Sequence, residues 1–302
     1  MQSRVRSLPA MRYYLRNQTL FLRGVFRAAS TGISGGLKQV STLLAHTPGG
    51  DIEVPDPYRE IERVIHREGL PPDFFGLLTR VPLAHLCILQ YDFLILFVTA
   101  GASGGNAGDS VPVNLIIYSR EGMTDAALLE TIMTGTAARV EALHSLARLS
   151  SGDPADSVIV ACEGEVIHQN AGSHTEVGSR VRSAVLFGIQ EALARQEGRI
   201  ERDRPSFFIF SRYQGDHWVE WLPEKCPYYP CHFPGQRCEF CYCPFYPCGD
   251  ESLGQWVKSS SMNGMVWNCS GCTLLHEPLI ADYLLAHPEA PPAELKRKKG
   301  AQ

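Results

Sequence analysis

Cysteine is nearly missing from most of this chain of 302 residues. Before residue 226 there are only Cys87 and Cys162, so no disulfide framework holds that part and its stability must come from a packed core. Long apolar runs are missing too. The longest, residues 93–100, has the length of a strand and falls well short of the roughly 20 residues that span a bilayer as a helix. No sign of charge dominates: 28 Lys and Arg stand against 32 Asp and Glu, a net charge of −4. That is too mild to predict nucleic-acid binding. Residues 1–16 carry four arginines and no acid, but they lack the apolar stretch of a secretory signal, so a cytoplasmic protein is expected. There is no internal repeat and no Gly-x-Ser-x-Gly elbow of a serine hydrolase.

What is present divides the chain in two. Apolar content of 44% supports a real core. The expected boundaries are an extension over 1–18, a large domain over 19–204, a cysteine-rich domain over 205–288, and a basic tail over 289–302 that frays into solvent. In the large domain, strands are expected at 19–29, 83–90, 93–100, 113–118 and 157–162. Residues 55–69 read as a short helix with Tyr58, Ile61, Val64 and Ile65 on one face. A helix capped by Thr124 or Asp125 is expected over 126–149, with Leu129, Ile132, Thr136, Val140, Leu143 and Ala147 inward. A second, over 176–197, turns Val177, Val181, Val185, Ile189 and Leu193 inward. Strands and helices alternate, which predicts α/β or α+β, a mixed sheet flanked by helices, plus a small cysteine-rich metal-binding domain.

Two glycine-rich loops lie at strand ends, where ligand sites form. The first is Ser30-Thr31-Gly32-Ile33-Ser34-Gly35-Gly36. The second runs from Thr99 and Gly101 through Asn106 to Asp109. These loops, with Val113-Asn114, Met123 to Ala126, Thr134 to Glu141, Asp153 to Asp156 and Gly172 to Gly178, come in one order over residues 20–200. In that succession the chain resembles the adenosylcobinamide amidohydrolases, departing from their pattern at Gly104-Gly105. The tail is similar to a cysteine-rich small domain sometimes fused to them. The resemblance implies a hydrolase that removes the aminopropanol arm of adenosylcobinamide, leaving adenosylcobyric acid, in corrinoid salvage. A non-catalytic corrinoid-binding or zinc-dependent interaction protein is the alternative. The implied partner is a small-molecule corrinoid, with no nucleic acid and no membrane; oligomeric state is left open.

Amide hydrolysis needs a nucleophile or activated water, a stabilised oxyanion and a proton for the amine. His174, beside Glu176, is a candidate acid or base, or else part of a helix cap. Asp156 is its candidate orienting acid, or a turn residue. Thr31 or Ser34 is a candidate nucleophile, or each bonds local backbone. The N–H groups of Gly35 and Gly36 are candidate oxyanion donors. Thr99, Gly101, Asn106, Asp109 and Asn114 are candidate substrate contacts. Glu141 is either catalytic or a surface charge, and His46 marks a possible third loop. Cys87 and Cys162 read as structural.

The other eight cysteines are Cys226, Cys231, Cys238, Cys241, Cys243, Cys248, Cys269 and Cys272. The pairs Cys238/Cys241 and Cys269/Cys272, each with two residues between, have the spacing of zinc knuckles. One residue separates Cys241 from Cys243, and neighbours so spaced point opposite ways in extended chain. That favours two sites, one taking Cys241 and the other Cys243. Eight thiols, with His232 and His276 in reserve, suffice for about two structural zinc ions; an iron–sulfur cluster is the rival.

Overall fold

The computed structural model describes residues 11–49, 54–101, 111–148, 156–212, 215–222, 226, 228–238, 240–241, 243–258, 265–287 and 289–300. The chain divides into a unit of Leu15–Trp221 and a unit made of the residues up to Tyr14 together with Leu222–Gln302.

Apart from Arg12–Tyr14 at the start of β1, the strands of one mixed sheet fall in the larger unit, formed by its apolar, β-branched runs. They are β1 (Arg12–Arg16), β2 (Thr19–Ser30), β3 (Gly36–His46), β4 (Phe74–Leu78), β5 (Cys87–Tyr91), β6 (Leu94–Ala100), β7 (Val113–Ser119), β9 (Ser157–Cys162), β11 (Ser206–Ser211) and β12 (His217–Glu220). Their order is β12-β11-β5-β6-β7-β9-β2-β3-β4, with β1 beside β2. The pairs β3–β4, β7–β9 and β5–β11 are parallel, while β2–β3, β5–β6 and β6–β7 are antiparallel. Two short strands, β8 (Gly122–Met123) and β10 (Val166–His168), pair separately.

Side chains alternate across the sheet with period two. Leu94, Leu96, Val98, Val113, Leu115, Ile117, Val158 and Val160 join one core cluster with helices α2 (Asp125–Ser145) and α3 (Glu176–Gln196). Asn114, Ile116 and Tyr118, between those β7 residues, belong to the other face. Helix α1 (Pro57–Arg67) packs Ile61 against Gly76 of β4. Although β4 ends the strand order, it returns to the rest of the sheet. Gly76 exchanges both backbone hydrogen bonds with Ile33 (2.8 and 3.1 Å), and Thr79 meets Thr99 at 3.3 Å. The sheet therefore curls over on itself.

Helix α3 buries all five residues that its periodicity selects. Helix α2 does not follow its expected face. Leu129 and Val140 are each 50% exposed, and the buried side is Ala127, Leu128, Thr131, Thr134, Gly135, Ala138, Arg139, Ala142 and Leu143. Close packing on the sheet and on α3 selected the small residues: a Cβ on Gly135 would already lie 3.3 Å from Ile117.

The expected boundary at 204/205 moves. Strand β11 pairs with β5 and Phe208 is buried in the main core, so the larger unit runs to Trp221. The smaller unit contains a hairpin of β13 (Gln255–Lys258) and β14 (Met265–Asn268), then helices α4 (Pro278–Ala286) and α5 (Pro292–Gly300). Helix α5 replaces the frayed tail. Leu295 is fully buried in a cluster with Phe245, Leu274, Leu275, Ile280 and Leu284, and Lys296 and Lys299 pair with Asp250 and Glu277. No helix among the described residues is long and apolar enough to cross a membrane.

Candidate active site and cysteine module

The turn between β2 and β3 is held by close backbone approach. A Cβ on Gly32 would lie 2.6 Å from the Gly76 carbonyl oxygen, and Gly36 has φ +123°, where a side chain is strained. Ser34 adopts φ +62° without being glycine. The two hydroxyls differ in what they do. Thr31 is tied to β9: its N–H donates to the Val158 carbonyl at 3.0 Å, and its Oγ1 accepts the Val158 N–H at 3.0 Å. Ser34 Oγ accepts only from a side chain among the described bonds, Lys38 Nζ at 3.1 Å. Lys38 Nζ also lies 5.0 Å from the Phe75 ring centroid. The Gly35 N–H donates to Gly32 O at 3.0 Å, which removes it as an oxyanion donor while the turn is intact.

The ends of β6 and β7 supply the second group. Thr99 Oγ1 meets Thr79 Oγ1, and the Gly101 N–H donates to Pro112 O at 3.2 Å. Asn114, 3% exposed, donates from Nδ2 to Leu78 O at 3.4 Å, while its Oδ1 has no hydrogen-bond partner. Asn106 and Asp109 lie outside the described residues.

Asp156 precedes β9. Its Oδ1 accepts the Val113 N–H at 2.8 Å and its Oδ2 lies 2.5 Å from Arg139 Nη2. Arg139 lies in the Thr134–Glu141 stretch of the family likeness but was not among the candidate site residues. Its clue was a lone charge among Gly135, Ala138 and Ala142 on α2. Thr31, bonded to Val158, thus lies two residues along β9 from the Asp156–Arg139 pair, and Thr99 and Asn114 are in register with the start of β9, with Gly101 just beyond β6.

His174 and Glu176 are elsewhere. Both are exposed at the start of α3, where Thr175 caps the helix by accepting the Gly178 N–H at 3.0 Å. Glu176 pairs with Arg180, which also holds Asp92 in the turn before β6. The other end of α3 is beside Gly101, where Gln196 bonds His85. The length of β6 separates the two ends, about 20 Å at 3.4 Å per residue. The structure therefore does not bring His174 to Asp156. Glu141 is an exposed partner of Arg182. His46 is buried, 2.7 Å from Thr19 Oγ1 and 3.6 Å from Glu60, and burial holds its pKa down. Burial likewise pushes the Cys87 thiol up to about 12, as expected of an inert core thiol.

In the smaller unit the eight thiols fall into two sets. Burial first, then Cys231, Cys238 and Cys226, pushes the Cys241 thiol up to about 11. Burial pushes the Cys243 thiol up to about 12, with Cys248, Cys269 and Cys272 as its thiol neighbours. The sets do not overlap, and each has the four soft donors that a tetrahedral site takes. Among the described residues no three ligand side chains converge on one point. The second set adjoins the aliphatic cluster, against which Cys243, Cys248 and Cys272 pack. The first set instead has Gln236, 5% exposed, whose Nε2 donates to Cys231 Sγ at 3.2 Å and Cys238 Sγ at 3.3 Å. Its Oε1 accepts the His232 N–H at 2.8 Å.

The family profile of adenosylcobinamide amidohydrolase matches residues 13–201. The chain belongs to that family. An adenosylcobinamide amidohydrolase of Methanosarcina mazei is 31% identical over 195 residues, covering 61% of this chain and 98% of the relative. The protein is thus an amidohydrolase, and its larger unit carries the family's part. Residues 217–299 match a second family, the cysteine-rich small domain. An uncharacterized protein of Methanocaldococcus jannaschii is 48% identical over 61 residues, 20% of this chain and 50% of the relative. A probable cobalt-factor III C(17)-methyltransferase of Methanothermobacter thermautotrophicus is 52% identical over 54 residues, 18% of this chain and 14% of the relative.

Proposed function

We propose that the enzyme hydrolyses the amide joining aminopropanol to adenosylcobinamide, releasing aminopropanol and adenosylcobyric acid in corrinoid salvage. Water is added across the C–N bond: the carbonyl carbon gains the hydroxyl and the amine leaves with the proton. The observation that carries this reading is the family match over residues 13–201, in a chain that spans nearly all of an adenosylcobinamide amidohydrolase; the buried Asp156–Arg139 pair and the glycine turn bonded to Val158 lie along the same strand end. Glycine-lined turns suit a flat, bulky ligand lying against backbone. Of the two turn hydroxyls, Ser34 is the one we assign to chemistry, because Thr31 is occupied by β9.

We assign one structural zinc ion to each set of four thiols. Zinc there would link chain segments and supply no catalysis, since four thiolates close the coordination shell. So many free thiols suit a reducing compartment, and we place the enzyme in the cytoplasm. The test is direct. Purified protein incubated with adenosylcobinamide should yield adenosylcobyric acid and aminopropanol by mass spectrometry. Intact substrate after prolonged incubation would remove this assignment.

A further inference from the structure

No repeat runs through the chain as a whole, but its clustered thiols are set out twice on one short pattern. Residues 226–231 read Cys-Pro-Tyr-Tyr-Pro-Cys, and residues 243–248 read Cys-Pro-Phe-Tyr-Pro-Cys. A Cys-x2-Cys pair follows each, Cys238/Cys241 after the first and Cys269/Cys272 after the second. The backbone repeats with the sequence. The Tyr229 N–H donates to Cys226 O at 3.2 Å, and the Tyr246 N–H to Cys243 O at 3.1 Å. Likewise the Cys241 N–H donates to Cys238 O at 3.1 Å, and the Cys272 N–H to Cys269 O at 2.9 Å. The two sets of four thiols are therefore two copies of one unit.

The copies can be compared position by position. Two residues before its Cys-x2-Cys pair the first has buried Gln236, which donates from Nε2 to both Cys231 Sγ and Cys238 Sγ. The matching position in the second is Trp267. It is 3% exposed, and its Nε1 is sealed from solvent with no hydrogen-bond partner. An indole nitrogen only donates, and a native core rarely leaves a buried donor without an acceptor. Acceptors border the same space: Trp267 lines a cavity of about 220 Å³ together with Cys243, Cys248, Cys269 and Cys272. Three of those thiols also pack on the aliphatic cluster. Four thiolates around a divalent ion keep an excess of negative charge, which such surroundings solvate poorly, so a donor to sulfur is most effective there.

We propose that Trp267 is a positioning residue of the second metal site: when its four thiolates close on an ion, the indole N–H donates to one of them, as the Gln236 amide does in the first. Neither side chain ligates the ion. Each fixes sulfurs that do, which is how groups outside the ligand shell raise metal affinity. No opening to solvent is needed, because donor and acceptor belong to the same chain and border one cavity. The inference rests on the zinc ion assigned above to each thiol set, and on no part of the amide hydrolysis.

The experiment titrates the full chain with zinc against a competing chelator. Wild type should take up one ion per thiol set, and Cys238→Ser and Cys269→Ser identify which ion belongs to which copy. Trp267→Phe should weaken the second ion by about 10- to 100-fold and leave the first within about 3-fold, while Gln236→Met should do the reverse. Trp256→Phe, which alters the exposed indole edge-on to Trp267, should leave both within about 3-fold. In protein loaded with NMR-active cadmium, the indole proton lost in Trp267→Phe should show scalar coupling to the metal through sulfur, which packing alone would not produce. Should Trp267→Phe fail to fold, Trp267→benzothienylalanine decides in its place, since it keeps the bicyclic shape and lacks only the N–H. Unchanged affinity for the second ion, equal loss of both ions, or an uncoupled indole proton overturns the proposal. A wild type that leaves either thiol set without an ion would instead sink the zinc assignment on which it rests.

Discussion

The two units of this chain reach stability by different means. In the larger one, strands of β-branched and aliphatic residues are covered by α2 and α3, and one continuous apolar cluster runs through sheet and helices. In the smaller one the aliphatic cluster is short and, among the described residues, has Cys243, Cys248 and Cys272 packed against it, while Cys226, Cys231, Cys238 and Cys241 sit in irregular backbone, with Gln236 bonded to Cys231 and Cys238. Hydrophobic burial can hold a unit with enough residues to enclose a core. Below that size, cross-links must replace it. The family match of the amidohydrolase falls on the unit with the continuous apolar core.

Metal removal should separate the units most sharply. A structural zinc in such a site supplies about 10–16 kcal/mol of folding free energy, so chelation should melt the smaller unit and leave the larger one folded. Cys272→Ser should cost more than Cys238→Ser, because the former also disturbs the aliphatic cluster. Far-ultraviolet circular dichroism with zinc analysis by mass spectrometry checks both. Equal loss of structure in both units on chelation would break the comparison, and a visible charge-transfer band with bound iron would replace zinc by a cluster.

A smaller effect is expected from where the chain is cut. A chain ending after Leu222 should stay folded and hydrolyse substrate. One ending after Arg204 loses β11 and β12, and with them Ser206 and Glu220, which bond the fully buried Arg195 side chain, leaving it Glu191. Breaking part of a buried charge network costs up to about 3–5 kcal/mol. Thermal unfolding should show the shorter chain clearly less stable; equal midpoints would return the boundary to residue 204.

The smallest effects lie within the larger unit and compare its two ends. Ser34→Ala should lower kcat by at least about 100-fold if its hydroxyl attacks the amide. Thr31→Val and His174→Ala should stay within about 3-fold of wild type, since Thr31 bonds backbone and exposed His174 stands about 20 Å from Asp156. Steady-state rates on adenosylcobinamide decide. A large loss in His174→Ala alone would move the site to the start of α3.

The sequence was most legible where one physical pattern had one reading. The 3.6-residue period of Val177, Val181, Val185, Ile189 and Leu193 has apolar residues on one side only, and α3 follows it. Helix α2 has two candidate faces, one of large apolar residues and one of small, and size matching against the sheet chose the small one. The cysteine spacing was equally legible: a single residue between Cys241 and Cys243 forces them apart, and their thiol neighbours form separate sets. Strands β3 and β4 gave no clear signal, although β3 pairs with β2 across a tight turn; β4 joins β3 from beyond α1.

By itself, then, the sequence determined the division into a core-bearing and a thiol-bearing part, the places of β2, β6, β7, β9 and the long helices α2 and α3, and the family likeness, because each depends on spacing along the chain. Only the tertiary structure decided that Thr31 is occupied by β9 while Ser34 faces Lys38, that Asp156 meets Arg139 and not His174, and that α5 closes the smaller core. Those outcomes depend on which strand ends are brought side by side when the sheet curls. That is set by packing between elements remote in sequence, which no local pattern encodes.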